Sequence, residues 1–259
     1  MNRMNRIQLI ALYTLLHREV LRQFRIWKQT FLPPVITQSL YFIVFGTFIG
    51  SQVAPIKGIS YMAYIVPGII MMSVITSSYT NVVFSFFSAK FMRSIDELLV
   101  SPMSDSMVLF GYVLGGVFRA IVTGLLVFLV SFFFVRPSVE HPFIVILFAI
   151  LTAIVFALGG FLNALYAKNF DDAGTFTTFV LTPLTYLGGV FYSVEALPPF
   201  FRAISYFNPI VYMVDGFRYG FYGVHDTNLW IGVTFLAVLS VVLSIISVRL
   251  FAKGTGLRH

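Results

Sequence analysis

Arg119 demands an explanation before anything else in this chain. It stands about 12 residues into an apolar run, ~18 Å along a helix axis. A full charge at that depth costs about 2.5 to 3.5 kcal/mol on insertion scales, so it must face other protein, a wet cavity or a second copy of the chain. Two roles stay open for it: structural pairing, or direct contact with a ligand. Asp215 and Arg218 are three apart and spaced to pair on one helix face, either to hold their segment together or to contact a substrate. Ser94 followed by Glu97 is a capping-box pattern, in which hydroxyl and carboxylate satisfy each other's backbone amides. Asp171-Asp172 beside Lys168 reads as a solvated turn and helix start, not an ion site. His17, His141, His225 and His259 are scattered without metal-ligand spacing, and no Ser-His-Asp pattern is visible. There is no cysteine, which excludes disulfides and thiolate metal sites. A Gly-x-x-x-x-Gly-Lys-Ser/Thr phosphate loop is missing as well. We therefore expect no catalytic residue, no bound cofactor and no metal in this chain.

The elements that must position these residues are membrane helices. The 259 residues are 58% hydrophobic and 10% charged, with 30 phenylalanines, where a soluble domain carries about 25% charge. Residues ~6–28 predict an amphipathic helix with Arg18, Arg22 and Arg25 on one narrow face and Leu9, Tyr13, Leu16, Val20, Phe24 and Trp27 on the other. Such a helix suits the headgroup layer of a bilayer, as an anchor or also as a partner contact. Apolar runs predict six spans at about 31–50, 60–86, 107–134, 142–166, 174–194 and 228–250, the first opened by Pro33-Pro34. Residues 94–101 predict a short helix with Ile95, Leu98 and Leu99 on one face and Pro102 ending it, a shape that docks in a partner's groove. The N-terminus lacks the short apolar core and small-residue cleavage site of a signal peptide.

Glu195 to Gly223, between the last two spans, is too apolar for a water-exposed loop and too broken for a span. Pro198-Pro199 and Asn208-Pro209 interrupt it, leaving two short helical patterns marked by Phe200, Ile204 and Phe207, then by Val211, Val214, Phe217 and Phe221. The expectation is a hairpin that dips into the bilayer from one side, shielded by the spans. Basic residues set the orientation. With the N-terminus inside, the inner segments hold Arg3, Arg6, Arg18, Arg22, Arg25, Lys28, Lys90, Arg93, Lys168, Arg249, Lys253 and Arg258, against Lys57, Arg136, Arg202 and Arg218 outside. That asymmetry puts both termini in the cytoplasm and the hairpin outside. The formal charge of +7 belongs to these span ends and implies no nucleic-acid partner.

The chain resembles the membrane subunits of ABC-2 type exporters. The resemblance rests on Tyr64-Ile65-Val66-Pro67-Gly68, on Asp96-Glu97-Leu98-Leu99-Val100-Ser101-Pro102-Met103-Ser104 and on Gly111. It continues through Pro183, Gly188-Gly189-Val190-Phe191-Tyr192, Leu197-Pro198, Asn208-Pro209-Ile210-Val211-Tyr212-Met213-Val214-Asp215-Gly216-Phe217-Arg218 and Gly223. Ser193 departs from the pattern, where proline often stands. The resemblance implies an all-α integral membrane permease that works as a homodimer with a separate ATPase subunit, which would bind ATP and magnesium. It makes Ser94, Ile95, Asp96, Glu97, Leu98 and Leu99 the coupling helix. Pro198, Asn208, Pro209, Asp215 and Arg218 become parts of an outer re-entrant gate, and the N-terminal helix a second ATPase contact. An amphipathic drug, lipid or glycan-like cargo would move outward through bacterial inner membrane, past aromatic residues such as Phe84, Phe87, Phe128, Phe132, Phe179, Phe191 and Tyr192. The competing class is a stand-alone carrier or channel. It is disfavoured because no mid-span Asp or Glu accompanies Arg119.

Overall fold

The computed structural model describes residues 3–256. Arg258, counted with the inner basic residues, lies outside them, as does the side chain of Arg3. Among the described residues the regular structure is helical, apart from one isolated bridge between Ile56 and Ile59.

The bundle is built around α3 (Tyr61–Phe91), which starts at a Ser60 cap and is buried on almost every side. A helix apolar all round belongs in a core. It is flanked by α5 (Asp105–Ser131) and α6 (Pro142–Tyr166), the latter opening on a proline in its first turn. Glycines allow close approach: a Cβ at Gly116 of α5 would meet Ser78 O at 3.1 Å, and one at Gly160 of α6 would meet Tyr79 O at 2.6 Å. Small residues at such crossings are how helices pack when no hydrophobic effect drives them together. The last long helix, α11 (Leu229–Ala252), lies against α6 and shows the outside a face of Trp230, Ile231, Val238, Val241, Val242, Ile245 and Ile246.

The N-terminal region is α1 (Arg3–Arg25) and α2 (Trp27–Tyr41), separated by a single break at Ile26 and followed by a π-helical stretch, Phe42–Ile49. Pro33 and Pro34 therefore lie inside α2 and do not open it. The helix is already running when the prolines arrive, and their missing amides leave the carbonyls of Gln29 and Thr30 without helical donors.

Among the described residues, five helices are long and apolar enough to cross a membrane: Trp27–Ile49, Tyr61–Phe91, Asp105–Ser131, Pro142–Tyr166 and Leu229–Ala252. The expected span at about 174–194 is a shorter composite. It consists of α7 (Phe170–Phe176), a π-helical stretch Thr177–Leu181 and α8 (Thr182–Tyr186). It stops well before residue 194 because the chain turns at Gly188-Gly189, with Gly189 at φ 72°. Asp171 and Asp172 fall in the first turn of α7, where Asn169 caps the Asp172 amide at 2.6 Å and Asp172 accepts from the Lys168 amide at 3.1 Å.

The two proline breaks produce the expected pair of short helices, α9 (Pro199–Ser205) and α10 (Pro209–Tyr222), with Asn208 capping the second. They are unlike each other. α9 exposes Phe200, Phe201 and Ile204, whereas α10 is buried among α3, α6 and α11 and ends on left-handed Gly223. The remaining short helix, α4 (Ile95–Val100), joins α3 to α5.

The segments grouped by basic-residue count gather at opposite ends. At one end Gln8 donates to Pro102 O (3.4 Å), and Lys90 Nζ donates to the carbonyls of Ala164, Leu165 and Ala167 (3.1, 3.0 and 2.6 Å), satisfying the orphan end of α6. At the other, the Glu140 amide donates to Phe221 O (3.2 Å) and Lys57 donates to His225 O (2.8 Å).

Candidate functional site

At the first end, α4 turns off α3 through Arg93, a non-glycine residue at φ 58°. The capping box does not form. Ser94 is in the αR region (φ −70°, ψ −11°) and its hydroxyl donates back to Ala89 O at 3.3 Å, so it offers nothing to the Glu97 amide. Asp96 and Glu97 instead complement the positive end of α4 from its first turn. Its apolar residues divide. Ile95 is buried and Leu98 half-buried against the bundle, while Leu99 and Val100 are 45% and 88% exposed beside exposed Phe91 and Met92.

On α1, a stripe spaced by fours carries Leu15, Glu19 and Gln23 into the protein. Glu19 accepts from Ser85 Oγ of α3 (2.6 Å) and from Arg22 (2.9 Å). Arg22 also donates to Asn81 (3.1 Å), Gln23 donates to Gly115 O of α5 (2.9 Å), and Arg18 reaches the Tyr112 hydroxyl (3.4 Å). Arg22 thus turns toward the bundle and is half-buried, whereas Arg25 is exposed, as is Arg18 apart from its reach to Tyr112. Glu19 and Gln23 were not singled out from sequence, although their fourfold spacing on an otherwise apolar stripe was a readable signal.

Between α2, α3, α5 and the α7–α8 composite lies a cavity of about 360 Å³ whose mixed wall carries several hydroxyls and one charge. Arg119 is on its wall and donates to Thr30 O at 3.3 Å. That carbonyl is the one Pro34 deprives of its helical donor, so the proline and the arginine complete each other. The wall continues through Gln38, Ser73, Thr76, Thr177, Thr182 and Thr185. Tyr41 and Tyr186, whose hydroxyls are 2.6 Å apart, close one side and pack with Phe45 and Phe191. Of the aromatic residues expected on a path, Phe191 is in this plug, Phe87 is buried, and Phe128 lines a separate apolar cavity. The signal that would have found this wall is the run of hydroxyls in an apolar segment: Thr177, Thr182 and Thr185 lie within nine residues, the last two three apart.

The far end is a network of loops. Asp215 and Arg218 do not pair; they sit on one helix but face different neighbours. Asp215 accepts from the amides of Asp226 and Thr227 (both 2.7 Å) and from the Thr227 hydroxyl (2.6 Å). Arg218 donates to Gly189 O (2.7 Å) and stacks its guanidinium 3.9 Å from the Tyr64 ring centre. Asp226 accepts from Ser193 Oγ and the Val194 amide (2.7 and 2.9 Å) and pairs with Lys57 at 2.5 Å. Lys57 also meets Glu195 at 3.1 Å. Asn208 donates to Leu184 O (2.8 Å), and Pro198 precedes α9. Four of the five residues expected to form a gate (Asn208, Pro209, Asp215 and Arg218) therefore lie on α10 or its cap.

Long apolar helices packed around α3, with a short exposed connector at one end and a pinned loop cluster at the other, define a multi-pass helical membrane protein. The chain belongs to the ABC-2 type transporter family, whose model matches residues 10–222. It is similar to the inner membrane transport permease YadH of Escherichia coli K12, with 52% identity over 249 residues covering 96% of this chain and 97% of that protein. It is also similar to nodulation protein J of Rhizobium leguminosarum bv. viciae, 22% identical over 241 residues covering 90% of this chain and 92% of that protein. Nodulation protein J of Neorhizobium galegae is 23% identical over 225 residues, 84% of this chain and 86% of that protein.

Proposed function

We propose that this chain is the membrane half of an ATP-driven exporter, forming a single transmembrane domain over residues 1–259 in the bacterial inner membrane with both termini cytoplasmic. Two copies stand together, and the threonine-bearing face of α2 and the α7–α8 composite forms the path between them. That composite is the sixth crossing. A separate ATPase subunit binds ATP and magnesium and grips α4 through Leu99 and Val100, with α1 as its second contact. Family membership supports the ATPase partner, and the exposed apolar tip of α4 is the single observation that carries its docking place. ATP binding draws the two ATPases together, the α4 helices follow, and the packed spans switch between two arrangements. The cargo is amphipathic and moves outward, because the path wall carries hydroxyls while the surrounding medium is lipid. The α9–α10 hairpin forms the outer gate.

The test is capture of the tagged chain from native membranes, with its companions identified by mass spectrometry. The wild-type chain is expected to bring down an ATPase with a Walker loop. A variant carrying Glu97→Ala and Val100→Asp is expected to lose it while keeping its thermal midpoint. Purified chain that moves cargo across vesicles unaided overturns the reading.

A further inference from the structure

We propose that the cavity beside Arg119 receives the anionic head of an amphiphile, a phosphate or carboxylate carried on an apolar tail. The inference rests on the path reading above and names the cargo's chemistry.

The charge on the wall comes first. Arg119 lines the cavity, and among the described residues no Asp or Glu does. A buried charge without a counter-ion is costly, and the one bond Arg119 makes, to a backbone carbonyl, leaves its charge uncancelled. Its Nε is buried with no partner. The donors around it are also unspent. Gln38 lines the cavity, is 5% exposed and has an unpartnered Oε1; a half-turn of the amide exchanges O and N and presents its NH2 group instead. Thr177 Oγ1, on the opposite wall, is likewise unpartnered. A planar fork of N–H donors that shares its cavity with an amide and a hydroxyl suits a carboxylate or phosphate, which accepts two parallel bonds from guanidinium. A cationic head meets repulsion there, and a neutral one leaves the guanidinium uncompensated. Room for the tail is beside the head: Pro33, Met72 and Leu181 share the wall, and Ile36, Leu40 and Val180 are exposed on the neighbouring surface.

The experiment uses the permease reconstituted in nanodiscs with its ATPase subunit, and dodecyl phosphate as the probe. Dodecyl trimethylammonium, dodecyl maltoside and inorganic phosphate are run in parallel, and the thermal midpoint and ATPase rate are followed against concentration. Dodecyl phosphate is expected to raise both, with apparent affinity weakened about tenfold or more by Arg119→Gln and held within about threefold by Arg119→Lys. Gln38→Glu sets a carboxylate at the same wall in nearly the same volume, and is expected to weaken the probe too, so a misfolded Arg119 variant does not remove the test. Equal affinity for dodecyl phosphate in wild type and Arg119→Gln overturns the proposal, as does an equal response to dodecyl trimethylammonium. Inorganic phosphate binding as tightly as dodecyl phosphate overturns the amphiphile part. The path reading is tested separately by Thr182→Cys in this cysteine-free chain. Thiol labelling that changes between nucleotide-free and ATP-bound complex supports the path, and unchanged labelling overturns the path while Arg119-dependent binding still supports the anion site.

Discussion

Lys57 occupies the left-handed region of backbone space at φ 51°, a conformation that costs a non-glycine residue about 1–2 kcal/mol. Its ammonium group offsets this by bridging three loops, and the titration of the pair follows from the geometry. Burial alone would raise the Asp226 carboxyl, but the hydrogen bonds from Lys57 and Ser193 outweigh it and hold the group below its usual range. Burial alone would lower Lys57, but Asp226 and Glu195 outweigh that and raise it. A depressed acid contributes stability above its unfolded value of about 3.9 and loses it as pH falls through the lower folded value. A raised lysine contributes fully below about 10.4 and loses it as pH rises through the higher folded value. The bridge therefore holds at full strength from roughly pH 5 to 9. Asp226→Asn is expected to lower the thermal midpoint at pH 7 by about 2–4 °C, the size of ~1 kcal/mol in a chain this long, and the difference should shrink toward pH 3. An equal difference at both pH values would remove the ionic account. None of this was legible in sequence, because Lys57 and Asp226 are far apart in the chain. The Asp215–Arg218 pairing misled for the same reason: the three-residue spacing was right, but loops elsewhere supplied better partners.

At the scale of elements, α3 and α6 are held by contact between backbone and glycine. A methyl group at Gly160 would strike Tyr79 O at 2.6 Å, and a carbonyl inside a helix moves only if the helix does. Gly160→Ala is expected to cost about 1–3 kcal/mol by overpacking, read as a lower unfolding temperature in detergent. Gly174→Ala, where nothing lies within 4 Å, should be neutral or slightly stabilising because alanine restricts the unfolded chain. Equal effects at the two sites would sink this explanation. Which breaks were readable follows the same division between local and distant causes. Pro198-Pro199 and Asn208-Pro209 ended helices where expected, because proline acts on its own backbone and its predecessor. Pro33-Pro34 did not begin one, because Arg119, far along the chain, supports the carbonyl that Pro34 leaves free. The Ser94 cap failed because Arg93 had already turned the chain and set Ser94 in a helical conformation. Gly188-Gly189 carried the signal that would have shortened the fifth span.

For the whole molecule, the surface sorts into two kinds. α11 shows mainly aliphatic side chains, while α2 and the α7–α8 composite set Thr37, Thr175, Thr178 and Thr182 among exposed Ile36, Leu40, Phe179 and Val180. Hydroxyl groups in that position fit water or a second subunit better than acyl chains. In membranes, Thr178→Cys is expected to be cross-linked between copies by a short bis-maleimide, and Val241→Cys on α11 is not; the opposite pattern would move the contact to α11. The membrane class was legible from composition, and the alternation of apolar runs with loops sorted those loops into two groups, members of which meet at each end of the fold. The cavity between those ends was not, since it needs side chains from four separate helices to meet.

The buried Glu19 network has a mechanical consequence. A helix floating on headgroups can slip sideways when pulled, but α1 is bolted by Glu19, Arg22 and Gln23 to both α3 and α5. A tug on that helix reaches the centre of the bundle without slack, as a crank turns its shaft.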